Sequence, residues 1–158
     1  MRRDDFQRRS SMIGHAFGKM CDITLEGQGW ELRGREHIAI AGIEVDQVAD
    51  NQHGISFFFE YKGSTEGSRP GLRRTDSTKK ALCNAFLLQG LGIGPYVIIT
   101  SHMPLPGSDS AVMLEQAGKA VFDVICLSNP KDVARLREYW TWEDDMTQPK
   151  VINLRTAR

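Results

Sequence analysis

The run Tyr96-Val97-Ile98-Ile99, closed by Thr100 and Ser101, restricts the fold more than any other stretch of the chain. It has no polar alternation and therefore no face for water. So short an apolar run reads as a strand covered on both sides, the kind found inside a mixed sheet with helices above and below it. "VFDVICLS" (121–128) is a second such strand. The segments beside them carry helical signals. "TDSTKKALCNAFLLQGLG" puts Ala81, Leu82, Ala85, Phe86 and Leu88 on one buried stripe, with Thr75 or Ser77 as its cap. "SDSAVMLEQAGKA" is a further helix, and "NPKDVARLREYW" is another with Pro130 in its first turn.

Upstream, Phe6, Ile13, Phe17, Met20, Cys21 and Thr24 or Leu25 recur at steps of three and four, an amphipathic helix ended by Gly27 and Gly29. "WELRG" begins a strand. "HIAIAGIEVDQVAD" supplies one or two more, with a break at Gly42. Asp50, Asn51 and Gly54 make a turn before "ISFFFEYK", so residues 37–62 form an antiparallel meander or hairpin. The order α-β-β-β-α-β-α-β-α predicts a three-layer α/β (α+β) domain: a mixed central β-sheet flanked by helices.

With 158 residues the chain suits a single domain, 1–158, whose tail 141–158 is expected to hold at most a short edge strand and to be partly mobile. Twenty basic and twenty acidic residues cancel, so only local clusters of charge can suggest a partner. Cys21, Cys83 and Cys126 are widely spaced in apolar surroundings and read as buried thiols of a reducing compartment. No apolar run is long enough to span a membrane or to act as a signal peptide, and a cytoplasmic location is expected. "GLGIG" (90–94) follows a helix and precedes a strand, the wrong order for a dinucleotide loop, so no organic cofactor is expected. The four histidines lack ligand spacing; His102, at a strand tip, reads as structural. Trp30, Trp140 and Trp142 read as core or interface anchors.

Alternation along "FFFEYK" sets Phe57, Phe59 and Tyr61 on one face and Phe58, Glu60 and Lys62 on the other. On the preceding strand Ile43, Val45 and Gln47 oppose Glu44, Asp46 and Val48, and closing the turn brings Asp46 toward Glu60 on a shared face. A solvated hairpin face is the bland reading, but Phe58 on that face calls for helix cover. Carboxylates at the end of apolar strands are costly to bury bare. A hard divalent cation, Mg²⁺ or Mn²⁺, relieves that cost, and a lysine beside it orients or helps deprotonate a water. From Lys62 to Lys80 there are also six cations (Lys62, Arg69, Arg73, Arg74, Lys79, Lys80) against Glu66 and Asp76, a phosphate-gripping loop and helix start.

"IEVD", thirteen residues (47–59) and then "EYK" resembles the PD-(D/E)XK, or restriction-endonuclease-like, nuclease superfamily. Residues 10–102 match its αβββαβ core, and the "ExD…ExK" form with Gly42 nearby is similar to resolvase-like and restriction-type members. The resemblance implies a Mg²⁺-dependent endonuclease that hydrolyses DNA to 5′-phosphate and 3′-hydroxyl ends. It implies Asp46, Glu60 and the Tyr61 carbonyl as metal ligands, Lys62 as the residue handling water, and Glu44 as an alternative acid. Arg69, Arg73, Arg74, Lys79 and Lys80 would hold the DNA backbone, and a homodimer would cut both strands. One feature departs from the pattern: where many members carry a glutamate on the first helix, "GHAFG" offers Gly18, leaving Asp22 or Glu26 as substitutes or one ligand fewer. An inactive DNA-binding or protein-interaction module on the same scaffold is the alternative.

Overall fold

The structure, a computed structural model, describes residues 3–64 and 69–143. Helix α1 (Arg3–Gly27) leads into strands β1 (Glu31–Ile38), β2 (Ile43–Asp50) and β3 (Ser56–Lys62), and then helix α2 (Thr75–Gly90). Strand β4 (Tyr96–Thr100), helix α3 (Asp109–Ala117), strand β5 (Asp123–Cys126) and helix α4 (Pro130–Trp140) follow. The strands lie in the order β1-β2-β3-β4-β5. The first three form an antiparallel meander, while β4 and β5 run parallel to β3. The mixed three-layer sheet read from the sequence is the observed one. Gly42, at φ +67, sits in the turn that separates β1 from β2.

All five residues of β4 are buried, as an apolar run without alternation requires. Between the sheet and α1 and α4 lies a core containing Phe17, Cys21, Leu25, Phe57, Phe59 and Leu136. Here the successive phenylalanines find their place: Trp30 stands edge-on to Phe57 at 5.0 Å and to Phe59 at 5.4 Å, and Phe122 meets Phe57 edge-on at 5.6 Å. These are favourable arrangements for rings whose edges and faces differ in charge. On the opposite side, Val45, Val48, Leu72, Ala81, Ala85 and Tyr96 pack under α2 and α3, with Phe58 half-buried against them. Trp140 covers Gly29, whose φ of +99 and missing Cβ let the indole approach and donate to the Gly29 carbonyl at 2.9 Å.

Several local expectations are corrected. Met20, Phe86 and Cys83 are exposed. The helix stripes are narrower than their three-and-four spacing suggests, because each helix lies on the sheet along a single seam. The cap position of α2 is Arg74, with no side-chain bond, and neither Thr75 nor Ser77 fills it. The polar residue that secures this turn is the buried Thr78, whose hydroxyl lies 3.2 Å from the Arg74 carbonyl and 3.1 Å from Ser110 Oγ. Of the tail, residues 141–143 continue from α4 without a strand, and the rest lies outside the described residues. Among the described residues no helix is long and apolar enough to cross a membrane.

Candidate functional site

The site begins with a fault in the sheet. Gly34 pairs with Val48 and Glu36 with Val45, so Arg35 alone on β1 faces both Asp46 and Gln47 on β2. That is a β-bulge, which re-aims side chains and bends the strand. It breaks strict alternation: Val45 and Val48 both enter the core under α2, whereas the alternation read from the sequence put them on opposite faces. It also parts β2 from β3, whose ladder ends at Gln47–Phe59. Asp46 stands in the opening, and its Oδ2 accepts the Tyr61 backbone N–H at 2.7 Å. Asp46 lies near enough for its charge to act on Glu60. Its side chain, however, borders a groove on the α1 side, whereas Glu60 turns toward α2. The shared face read from strand alternation is therefore not what joins them.

Glu60 hangs from β3 toward α2 and is 4% exposed. Its Oε1 pairs with Lys62 Nζ and its Oε2 accepts from Asn84 Nδ2 at 3.3 Å. Burial raises its affinity for a proton, Lys62 opposes that, and the nearby Asp46 charge raises it further. The Tyr96 hydroxyl, donating to the Ala81 carbonyl at 3.0 Å, is held well above the ordinary phenol value by burial and then by the Glu60 charge. Glu60 is thus a buried carboxylate that feels the Asp46 charge and has Lys62 as its cation, while the partly exposed Asp46 has Arg35 at 3.4 Å. Asn84 was missed from the sequence; an asparagine five residues past Lys79 carries no signal of its own, because only the packing of α2 turns it toward β3.

On the other side of the opening, α1, β1 and β2 enclose a groove of about 730 Å³ that reaches Asp46 and Tyr61. Gly18 faces Tyr61, where an added Cβ would stand 3.7 Å from Cδ2. One turn further along, Asp22 also lines the groove. Its Oδ1 accepts from the Tyr61 hydroxyl at 2.7 Å and from Gln47 Nε2 at 3.0 Å. Glu26 is exposed and does not line the groove. Of the two acids that could replace the expected helix glutamate, the structure brings Asp22 to the site. Glu44 lies at the surface, joined to Asp46 only through Arg35, whose guanidinium is 2.9 Å from Glu44 Oε1 and 3.4 Å from Asp46 Oδ1.

The basic cluster collects at the end of the sheet where Lys62 lies. Leu72 N donates to the His102 carbonyl at 3.0 Å, and Gly71 presses on Thr100 so closely that no side chain fits there. The Thr100 hydroxyl in turn donates to the Lys62 carbonyl at 2.7 Å. Arg69, Arg73, Arg74, Lys79 and Lys80 are all exposed around this junction. His102 Nδ1 lies 2.9 Å from Ser101 Oγ and makes a local, structural contact.

Comparison with family models, curated proteins and solved structures finds no match. The chemistry must be read from the residues.

Among the described residues no group of three or more His, Cys, Asp or Glu side chains gathers as a ready metal cage. What the opening offers is the Asp46 carboxylate on the Tyr61 backbone, with the Glu60 carboxylate turned toward α2 yet near enough to feel the Asp46 charge. This hard-oxygen set suits a divalent cation that keeps several of its waters, and it does not suit a softer, nitrogen- or sulfur-seeking ion.

Proposed function

We propose that this chain is a Mg²⁺- or Mn²⁺-dependent endonuclease that hydrolyses DNA phosphodiester bonds on a restriction-endonuclease-like αβββαβ core. One observation carries the reading. β2 and β3 part just beyond Gln47–Phe59, and the opening holds Asp46 on the Tyr61 N–H, next to a buried Glu60 that is paired with Lys62. Asp46, Glu60 and the Tyr61 carbonyl would hold the cation, which when bound polarises a phosphoryl oxygen and makes an attacking water more acidic. Lys62 orients that water and moves its proton, and Asn84 keeps Glu60 from turning away. Arg73, Arg74, Lys79 and Lys80 hold the DNA backbone through its phosphates. Attack on phosphorus breaks the bond to the 3′ oxygen, leaving 5′-phosphate and 3′-hydroxyl ends. Cutting both strands together takes a second copy, and a symmetric dimer is the commonest way to supply it.

Nicking of supercoiled plasmid and cutting of branched DNA in Mg²⁺, Mn²⁺ and EDTA test the reading. Asp46→Ala and Lys62→Ala should each abolish cutting, a loss of at least about a hundredfold, with the circular dichroism of the fold retained. Equal activity in wild type and both variants would overturn the enzyme assignment. DNA binding without cutting in any metal would leave the inactive module.

A further inference from the structure

We propose that the groove between α1 and β1–β2 is a channel for one unpaired DNA strand, which it leads past Asp46. The inference rests on the nuclease reading and adds a substrate class to it: DNA with a single-stranded segment, in place of continuous duplex. At about 730 Å³ the groove is the size of clefts that enclose a small ligand, roughly 300–1,000 Å³. It admits one or two nucleotides and excludes the body of a double helix.

Its walls suit a sugar-phosphate chain. The α1 face that borders it runs Ser11, His15, Lys19 and Asp22, and helical spacing places the exposed Arg8 on the same face one turn earlier. Arg35 closes the opposite wall from β1. Gly14 and Gly34 line the groove with no atom within 4 Å of where a Cβ would stand, so nothing obstructs a passing strand. The rim thus carries Arg8 and Lys19 along α1 and Arg35 across from them, with the carboxylates of Asp22 and Asp46 and the side chain of Tyr61 toward the inner end. Cations bordering a groove with an aromatic side chain in its lining suit a single strand, because an unpaired base offers its π-face and the backbone offers one phosphate per step. Arg35 now bridges Glu44 and Asp46. A phosphate arriving at Asp46 competes for the same guanidinium, which places Arg35 at the reacting end of the channel.

The test reads binding apart from cutting. Fluorescence anisotropy is measured in EDTA with a labelled oligothymidylate and with a blunt duplex of equal length, and plasmid nicking in Mg²⁺ is run alongside. Gly14→Phe fills the groove from an open position on a helix, where replacing glycine favours the fold, and its melting midpoint is checked against wild type. Lys19→Glu is the second variant. The expected result is tighter binding of the single strand than of the blunt duplex, lost about tenfold or more in Gly14→Phe, the worth of one stacked base. Lys19→Glu should lower the salt slope by about 0.7, the value of one phosphate contact on a single strand. Equal single-strand affinity in wild type and Gly14→Phe, or preference for the blunt duplex, with Mg²⁺-dependent nicking intact, would overturn the channel and spare the nuclease. No binding of either probe and no nicking would overturn both.

Discussion

Replacing Gly63 with alanine sets one methyl group against the ring that closes the α1 side of β3. An ideal Cβ at Gly63 would lie closer than 3.0 Å to Cγ, Cδ1 and Cε1 of Phe17, a separation real Cβ atoms essentially never show. Phe17 is 2% exposed within the core between α1 and the sheet, so its ring has no free space to enter. Overpacking of this kind costs about 1–3 kcal/mol, and three overlapping ring atoms put it in the upper part of that range, about 2–3 kcal/mol. A domain of this size loses about 2–4 °C per kcal/mol, so the thermal midpoint should fall by about 4–12 °C. A double-mutant cycle assigns the cause. Phe17→Ala alone should cost about 3–5 kcal/mol through the cavity it leaves, and the added methyl at 63 should fit into that cavity. The two losses should therefore combine to less than their sum by about 1–3 kcal/mol. Urea melts of the four proteins measure it. A Gly63→Ala protein that melts with wild type, or two effects that simply add, would refute the packing account of why glycine follows Lys62.

Glu60 holds its proton more tightly in the folded chain than in the unfolded one, through burial first and the Asp46 charge after it. Its contribution to stability is therefore fully present below the ordinary value of 4.5 and is lost as pH rises through the elevated native value. Glu60→Gln should accordingly melt higher than wild type at neutral pH, with the gap shrinking as pH falls toward that ordinary value; a gap constant across pH would contradict the linkage. Mg²⁺ at about a hundred times its dissociation constant should stabilise wild type by about 2.7 kcal/mol and leave Asp46→Asn unmoved in differential scanning fluorimetry, whereas equal shifts would place the ion elsewhere. Asp123 accepts from Arg135 Nε at 2.6 Å and from the Tyr139 hydroxyl at 2.6 Å. Asp123→Ala should cost about 3–5 kcal/mol in urea, the penalty for stripping the half-buried Arg135 guanidinium and the buried Tyr139 hydroxyl of their shared partner. A loss below about 1 kcal/mol would show that Asp132 suffices.

Much of this molecule is written in local pattern. The apolar run 96–100, the meander around Asn51–Gly54 and the helical spacing of Phe17, Cys21 and Leu25 each depend on residues a few positions apart. The backbone responds to these directly, through side-chain alternation in strands and the 3.6-residue turn in helices. They determined the element order and the mixed sheet, and they placed Glu60 and Lys62 on one face of their strand. What only the tertiary structure decided depends on distance across the fold. The bulge at Asp46–Gln47 is a matter of register between β1 and β2, and no spacing within β2 reveals it. Asn84 reaches Glu60, and Asp22 reaches Tyr61, only because α2 and α1 settle on opposite faces of one sheet. Met20, Cys83 and Phe86 stay at the surface because a helix lying on a sheet buries a single seam, and the choice among its apolar residues is made by the sheet it meets.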